Sequence, residues 1–337
     1  MSVAGRVTLQ VNLAPADLPH ARLLLGHQLR QLGGQVDEIL LVVDRERGAG
    51  RFADGWDEGR PLLDELLATA ARGDARIRVQ AVDYGADAAA AISRRFLRGR
   101  PAPRKDFRGG PFYSYLYGLH ACATDLVLHI DSDMLFGGGS QTWVRDATAV
   151  LEGDARVVAA SPLPGPPSPS GRLLSQRAER YPEAGKDAYR FDKLSTRVFL
   201  ASISRLERTI LPIGSTAAAP RRRLEARLRG SEGAGLPEDL LSRAMCRGGF
   251  RRVDLLGPGP GLWSLHPRYR PPAFYAALPE LIERVERGDV PDGQRGRHDI
   301  APCLVPLPAR RDRGRIHQLS ELARACRAPR PVPRGPR

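Results

Sequence analysis

The chain has 337 residues, 42% hydrophobic and 27% charged, with a formal net charge of +14. That length can bury a substantial core as one large domain or two small ones, and the composition predicts a water-soluble globular protein. No apolar run is long enough to cross a bilayer, and the start M-S-V-A-G-R-V-T-L lacks a signal-peptide pattern, so the expectation is a cytoplasmic protein with no transmembrane segment.

From the amino end, Val7 to Leu13 alternates and is rich in β-formers, predicting a first strand. Leu18 to Leu32 carries Leu24, Leu25, Leu29 and Leu32 at helical spacing and stops at Gly33-Gly34. E-I-L-L-V-V-D, Glu38 to Asp44, predicts a buried strand that ends in an acid. A helix is expected over Leu62 to Ala71, then a third strand over Ile77 to Asp83, again ending in an acid. Pro111 to Cys122 reads as an aromatic-rich helix feeding D-L-V-L-H-I-D-S-D-M-L-F-G-G-G, Asp125 to Gly139. Leu126, Val127, Leu128 and Ile130 make a buried strand that breaks at Asp131-Ser132-Asp133, and the three glycines give the turn its freedom. An isolated D-x-D reads as an acidic turn. Two carboxylates at a buried strand exit also repel each other and resist desolvation, which a divalent cation would relieve.

Val157 to Ser161 predicts a short strand, followed by P-L-P-G-P-P-S-P-S-G, expected to be neither helix nor central strand but a surface linker or a substrate-gating loop. Arg172 to Lys193 is polar and reads as loop with a short helix. A strand at Thr196 to Ile203, a helix from Ser204 and a solvated helix at Arg221 to Arg229 follow. Leu236-Pro237-Glu238-Asp239 opens an amphipathic helix, Phe250 to Leu256 is a strand, and L-W-S-L-H-P follows a glycine-rich turn, with Trp263 assigned to the core. The alternation predicts an α/β fold with a mostly parallel central sheet and helices on both faces. Ligands bind such sheets beyond the carboxyl ends of the strands, where Asp44, Asp83, Asp131 and Asp133 fall.

The positive charge could attract nucleic acid, anionic lipid or phosphorylated small molecules. Arginine supplies nearly all of it, and it clusters in a tail expected to be solvated and disordered. Nucleic-acid binding would need basic residues interleaved with aromatics, yet aromatics are only 6%. Cys122, Cys246, Cys303 and Cys326 are too far apart to indicate a zinc site or a disulfide framework. Neither G-x-G-x-x-G nor G-x-x-x-x-G-K-[ST] appears, which disfavours NAD binding and a P-loop.

E-I-L-L-V-V-D, L-V-L-H-I-D-S-D-M-L-F, L-P-E-D and L-W-S-L-H-P occur in an order and spacing that resembles the family-2-type glycosyltransferases, which have the GT-A fold. The resemblance covers roughly Val7 to His266. It implies that Asp44 and Asp83 approach the nucleotide base or ribose and that Arg108, or Lys105 beside it, contacts the nucleotide. It also implies that Asp131 and Asp133 bind ribose and a Mn²⁺ or Mg²⁺ ion on the diphosphate, with His266 completing the metal shell. Asp239 would be the catalytic base, with Glu238 in support. The activity so implied is metal-dependent, inverting transfer of one sugar from a nucleoside-diphosphate sugar to a small-molecule or glycan acceptor. A glycosyltransferase domain would span residues 1–270, with a nucleotide-binding half to about 136, and residues 271–337 would form a helical extension with a basic tail.

Three features depart from that pattern. The first strand ends in V-N-L-A-P-A-D rather than P-x-[YF]-N, Arg108 is not followed by asparagine, and no Q-x-x-R-W follows the E-D pair, which argues against a processive synthase. A nucleotidyltransferase of related fold and a non-catalytic RNA- or membrane-surface-binding protein are the alternatives.

Overall fold

Among the described residues eleven strands form one sheet, whose central strands run in the order Ile77–Ala81, Glu38–Val43, Val7–Leu13, Leu126–Asp131, Val198–Ser202, Val157–Pro164, Arg251–Leu255 and Ala188–Phe191. The computed structural model describes residues 5–49, 52–228, 232–268 and 270–305. The strands are β1 (Val7–Leu13), β2 (Glu38–Val43), β3 (Ile77–Ala81), β4 (Leu126–Asp131), β5 (Leu135–Gly137), β6 (Val157–Pro164), β7 (Glu179–Arg180), β8 (Ala188–Phe191), β9 (Val198–Ser202), β10 (Arg251–Leu255) and β11 (Trp263–Leu265). β1 to β4 pair in parallel, and β6 pairs in parallel with β10; β9 runs antiparallel to both β4 and β6. The sheet is therefore mostly parallel, as the alternation of elements predicts.

The helices are α1 (Leu18–Leu32), α2 (Trp56–Gly73), α3 (Ala86–Leu97), α4 (Tyr113–Ala121), α5 (Trp143–Gly153), α6 (Ile203–Thr209), α7 (Pro220–Leu228), α8 (Pro237–Arg247) and α9 (Pro272–Arg287). Strand alternation sorts them onto two faces. Ile39, Leu41 and Val43 pack with Leu25 of α1, Leu63 of α2 and Val144 of α5. Leu40 and Val42 pack on the other side with Phe96 of α3, Leu116 of α4 and Leu240 of α8.

β1 and α1 begin and end where the sequence pattern places them. Two helices, α3 and α5, were not expected. In α3 the run A-D-A-A-A-A-I-S has strong helix propensity but few large apolar residues, so periodicity alone misses it. β3 stops at Ala81, two residues before Asp83.

The proline-rich segment corrects a firmer expectation. β6 runs through Pro162 and Pro164, and all eight of its residues are buried. The amides of Leu163 and Gly165 donate to Leu262 and Ser264 beside β11. The prolines alternate with them, at positions where no ladder N–H is needed on that side. The polar stretch after it, expected as loop with a short helix, holds a short 3-10 helix at Pro182–Ala184 and adds β7 and β8.

α9 docks on α1. His27 Nδ1 lies 2.7 Å from Glu286 Oε1, and Arg30 pairs with the same carboxylate. This helix belongs to a compact unit that reaches Val305. The arginine-rich tail and Cys326 lie outside the described residues. Among the described residues no helix is long and apolar enough to cross a membrane, and Cys122, Cys246 and Cys303 are free.

Candidate active site

β1 is followed in the sheet by β2 on one side and β4 on the other, so the chain changes direction across the sheet between β1 and β4. A crevice opens at the carboxyl ends of strands at such a point. Asn12 pairs with Asp131 across it, and a cleft of about 440 Å³ lies there. Of the residues singled out by sequence, Asp44, Lys105, Arg108, Asp131, Asp133, Glu238 and His266 line this cleft; Asp83 and Asp239 do not.

Asp133 is the most enclosed of the paired acids. Its Oδ2 lies 2.7 Å from Arg270 Nη1 and 3.8 Å from His266 Nε2. Burial pushes its pKa up, but His266, Arg270 and His20 beside it outweigh burial and hold the carboxyl below its usual range. Asp299 Oδ1 stands 3.5 Å from His266 Nδ1, on the far side of the ring, and the His266 backbone is tied to His298 and Ile300. At that distance Asp299 forms no hydrogen bond with the ring, so the backbone ties are what hold His266 at the cleft.

Asp131 ends β4 above a hydrogen-bonded relay. The Tyr115 hydroxyl donates to His129 Nε2 at 2.5 Å, and His129 Nδ1 donates to Gln10 Oε1. Gln10 Nε2 then donates to Asn12 Oδ1 at 2.6 Å. The direction of this chain fixes the Asn12 amide, because its oxygen is taken and its Nδ2 is left over. That Nδ2 is buried and has no partner among the described residues, and neither does the Ser114 hydroxyl. Both residues line the cleft. Orphaned buried polar atoms are rare enough that a ligand is the natural partner.

Asp44 is 5% exposed and already engaged. Its Oδ1 accepts from Tyr84 Oη at 2.8 Å and from the Glu46 amide, and Lys105 Nζ donates to Oδ2 at 2.8 Å. Burial raises the Tyr84 phenol and the Asp44 charge adds to it, so Tyr84 stays a protonated donor. Arg108 is half exposed and lies 3.4 Å from Asp106. Asp83 is exposed, and its side chain accepts from the Gly85 amide at the start of α3.

Glu238 and Asp239 open α8, where adjacent residues point about 100° apart. Glu238 turns into the cleft, and among the described residues its side chain has one long contact, 3.5 Å from Thr196 Oγ1. Asp239 pairs with Arg222 of α7 at 3.0 Å, and both side chains are about half exposed.

Sequence reasoning missed Asn12, Ser114 and Arg270, which all line the cleft. Asn12 had a readable signal, a polar side chain near the end of the first strand. Arg270 reaches Asp133 across 137 residues of sequence, a contact that no local pattern encodes.

Oxygen from Asp133 with nitrogen from His266 suits Mn²⁺, and their 3.8 Å separation lets one ion reach both. Among the described residues no group of three or more His, Cys, Asp or Glu side chains is gathered to hold a metal ion. An ion here would take further ligands from a bound substrate.

No protein-family model matches the chain, and no curated protein does. Among solved structures, S. aureus TarS 1–349 is 10% identical, with 77% of this chain and 60% of that one covered and a TM-score of 0.38. This chain thus spans less than two thirds of that protein. The same protein in complex with UDP-GlcNAc gives a TM-score of 0.40 at 10% identity, over 86% of this chain and 69% of that one. Glucosyl-3-phosphoglycerate synthase from Mycobacterium tuberculosis, in complex with Mn²⁺, UDP and phosphoglyceric acid, is 16% identical over 84% of this chain and 77% of its own, with a TM-score of 0.38. At these scores the likeness is weak, and the functional reading rests on the cleft.

Proposed function

We propose that the protein is a glycosyltransferase that moves one sugar from a nucleoside-diphosphate sugar to an acceptor hydroxyl, with inversion, aided by Mn²⁺ or Mg²⁺. The observation that carries this reading is the meeting of Asn12, Asp131, Asp133, Glu238 and His266 in one cleft at the point where the sheet changes direction.

The nucleoside sits over the ends of β1 and β2. Asn12 Nδ2 and the Ser114 hydroxyl supply the unspent hydrogen bonds it needs, and Asp44 braces Lys105 and Tyr84 at that end. Asp131, above the Tyr115–His129–Gln10 relay, takes the ribose or sugar hydroxyls. Asp133 and His266 would hold the divalent ion, which supplies Lewis-acid stabilisation of the leaving diphosphate. Glu238 is the base. It faces the cleft and among the described residues is bound only by a long contact, so its carboxylate is free to accept the acceptor's proton. As that O–H bond breaks, the acceptor oxygen bonds to the anomeric carbon and the carbon–oxygen bond to the diphosphate breaks. A base placed in this way contributes on the order of 10²–10⁴-fold. The acceptor is a small molecule or glycan entering beside Glu238 and Thr196.

A thermal-shift screen of UDP-, GDP- and TDP-sugars with and without Mn²⁺ tests the reading. A donor at about 100 times its Kd stabilises the fold by about 2.7 kcal/mol, a shift of several degrees. No shift with any donor at millimolar concentration, with or without the ion, would overturn it.

A further inference from the structure

The oxygen on which the ion would sit is contested. Asp133 Oδ2 carries the Arg270 guanidinium at 2.7 Å, while His266 Nε2, the other donor, stands 3.8 Å from the same atom. The pair is largely enclosed, with side-chain exposures of 23% for Arg270 and 12% for Asp133. Arg270 Nη1 also lies 3.4 Å from His20 Nε2, and Ser132 Oγ holds that ring nitrogen at 3.1 Å. The guanidinium therefore sits in a formed pocket. A divalent ion on Oδ2 would stand within a few ångströms of it, and two cations cannot share one buried oxygen without further negative charge.

We infer that Arg270 is a tethered cation that holds Asp133 in the free protein and competes with the divalent ion for it. The inference rests on the donor-and-ion reading above. A nucleoside diphosphate brings the missing negative charge. Its phosphates are a better partner for a planar guanidinium than one carboxylate oxygen, because they accept from it in a bidentate fashion. Arg270 leaves Asp133 for the diphosphate by rotating its own flexible stem. Asp133 and His266 are then open to the ion, whose remaining ligands come from the same phosphates. Ion and nucleotide thus bind with positive coupling, and the free protein holds the ion weakly. Coupling between two such ligands is typically about 5- to 150-fold.

The test measures Mn²⁺ binding by electron paramagnetic resonance for the wild type, Arg270→Gln and Arg270→Lys. Each is titrated alone and with whichever of UDP, GDP or TDP gives the largest melting shift. Nucleotide affinity is measured separately in EDTA by calorimetry. The wild type should bind Mn²⁺ weakly alone and at least about 10-fold more tightly with nucleotide. Arg270→Gln should bind Mn²⁺ alone about 10-fold more tightly than the wild type, and should lose about 10-fold in nucleotide affinity in EDTA. Arg270→Lys keeps the charge and should bind free Mn²⁺ as weakly as the wild type, which separates the effect of charge from any change in folding. Equal affinity of wild type and Arg270→Gln for free Mn²⁺, with nucleotide-dependent Mn²⁺ binding intact, sinks this inference and leaves the donor reading standing. A wild type that binds neither nucleotide nor Mn²⁺ sinks both.

Discussion

Two adjacent carboxylates open α8, and the geometry makes them unequal. The perturbation that separates them is a pair of isosteric substitutions, Glu238→Gln and Asp239→Asn. Asp239 loses one ion pair to Arg222, 3.0 Å long, between side chains that are 48% and 47% exposed. Such surface pairs are worth about 0–1 kcal/mol. If that whole amount reached the transition state, the rate would fall about fivefold at most. Glu238 faces the cleft with a single 3.5 Å contact, so removing its charge costs little stability and removes the proton acceptor. The expected loss in kcat is about 10²–10⁴-fold, with donor affinity within about twofold of wild type, because the acceptor's proton does not move until the reaction itself. The assay is release of nucleoside diphosphate at saturating donor, paired with calorimetric titration of the same donor. A hundredfold loss in Asp239→Asn with Glu238→Gln near wild type would refute the reasoning and return the base to Asp239. Equal loss of donor affinity in Glu238→Gln would make Glu238 a binding residue instead.

Asn12→Ala and Ser114→Ala should each weaken nucleotide binding by about 2- to 10-fold, one net hydrogen bond apiece, while Asp83→Asn, which alters only the cap at Gly85, should leave it unchanged; calorimetry checks all three, and equal affinities throughout would remove Asn12 and Ser114 from the site. Gly137→Ala should lower the melting temperature by several degrees, because a Cβ there would lie 2.1 Å from Trp263 Cζ2 and overpacking costs about 1–3 kcal/mol; an unchanged melting curve would show that β5 and β11 can separate freely. Stability should fall on acidification through the His27 site. His27 Nε2 accepts the Phe136 amide and so must be unprotonated, and burial, more than the opposing Glu286 contacts, pulls the His27 pKa below its usual 6.5. A depressed folded pKa means that this contribution is complete above about pH 6.5 and is lost as pH falls below it. Urea unfolding at pH 7.5 and 5.5 should show a smaller acid loss for His27→Asn than for wild type, and an identical loss would assign the effect elsewhere.

The fold was legible wherever apolar periodicity met a clear stop. β1 and α1 are bounded by strong patterns and by Gly33-Gly34, and their limits were readable to the residue. α3 was not, because alanine marks no buried face even while it favours helix. The proline-rich end of β6 misled for a different reason. A proline rule assumes that both edges of a strand need donors, whereas here Leu163 and Gly165 supply the donors and the prolines fall between them. Seven of the marked residues reach one cleft: Asp44, Asp131 and Asp133 because the ends of neighbouring parallel strands converge, and Lys105, Arg108, Glu238 and His266 from loops and a helix start beside them. What the sequence could not carry was the neighbour of each strand end. Arg270 meets Asp133 only because the loop after β11 returns to the cleft, and the choice between Glu238 and Asp239 is a rotation of about 100° about a helix axis.

The strand-end acids also differ in what remains unspent on them. Asp44 accepts from Tyr84, Lys105 and the Glu46 amide, so its charge is largely consumed in holding the floor of the cleft. Asp83 spends an oxygen on the Gly85 amide. Among the described residues Asp131 has two side-chain contacts, both of 3.4 Å, to Tyr115 and His129. Among the described residues Asp133 has one strong partner, the Arg270 guanidinium. Acids with equal standing in the sequence are thus ranked by their free lone pairs. On that ranking Asp131 and Asp133 are the acids we propose to face the ligand, with Asp44 acting through Lys105 and Tyr84. An Asp44→Asn change should therefore loosen the Lys105 loop first and weaken nucleotide binding only as a consequence.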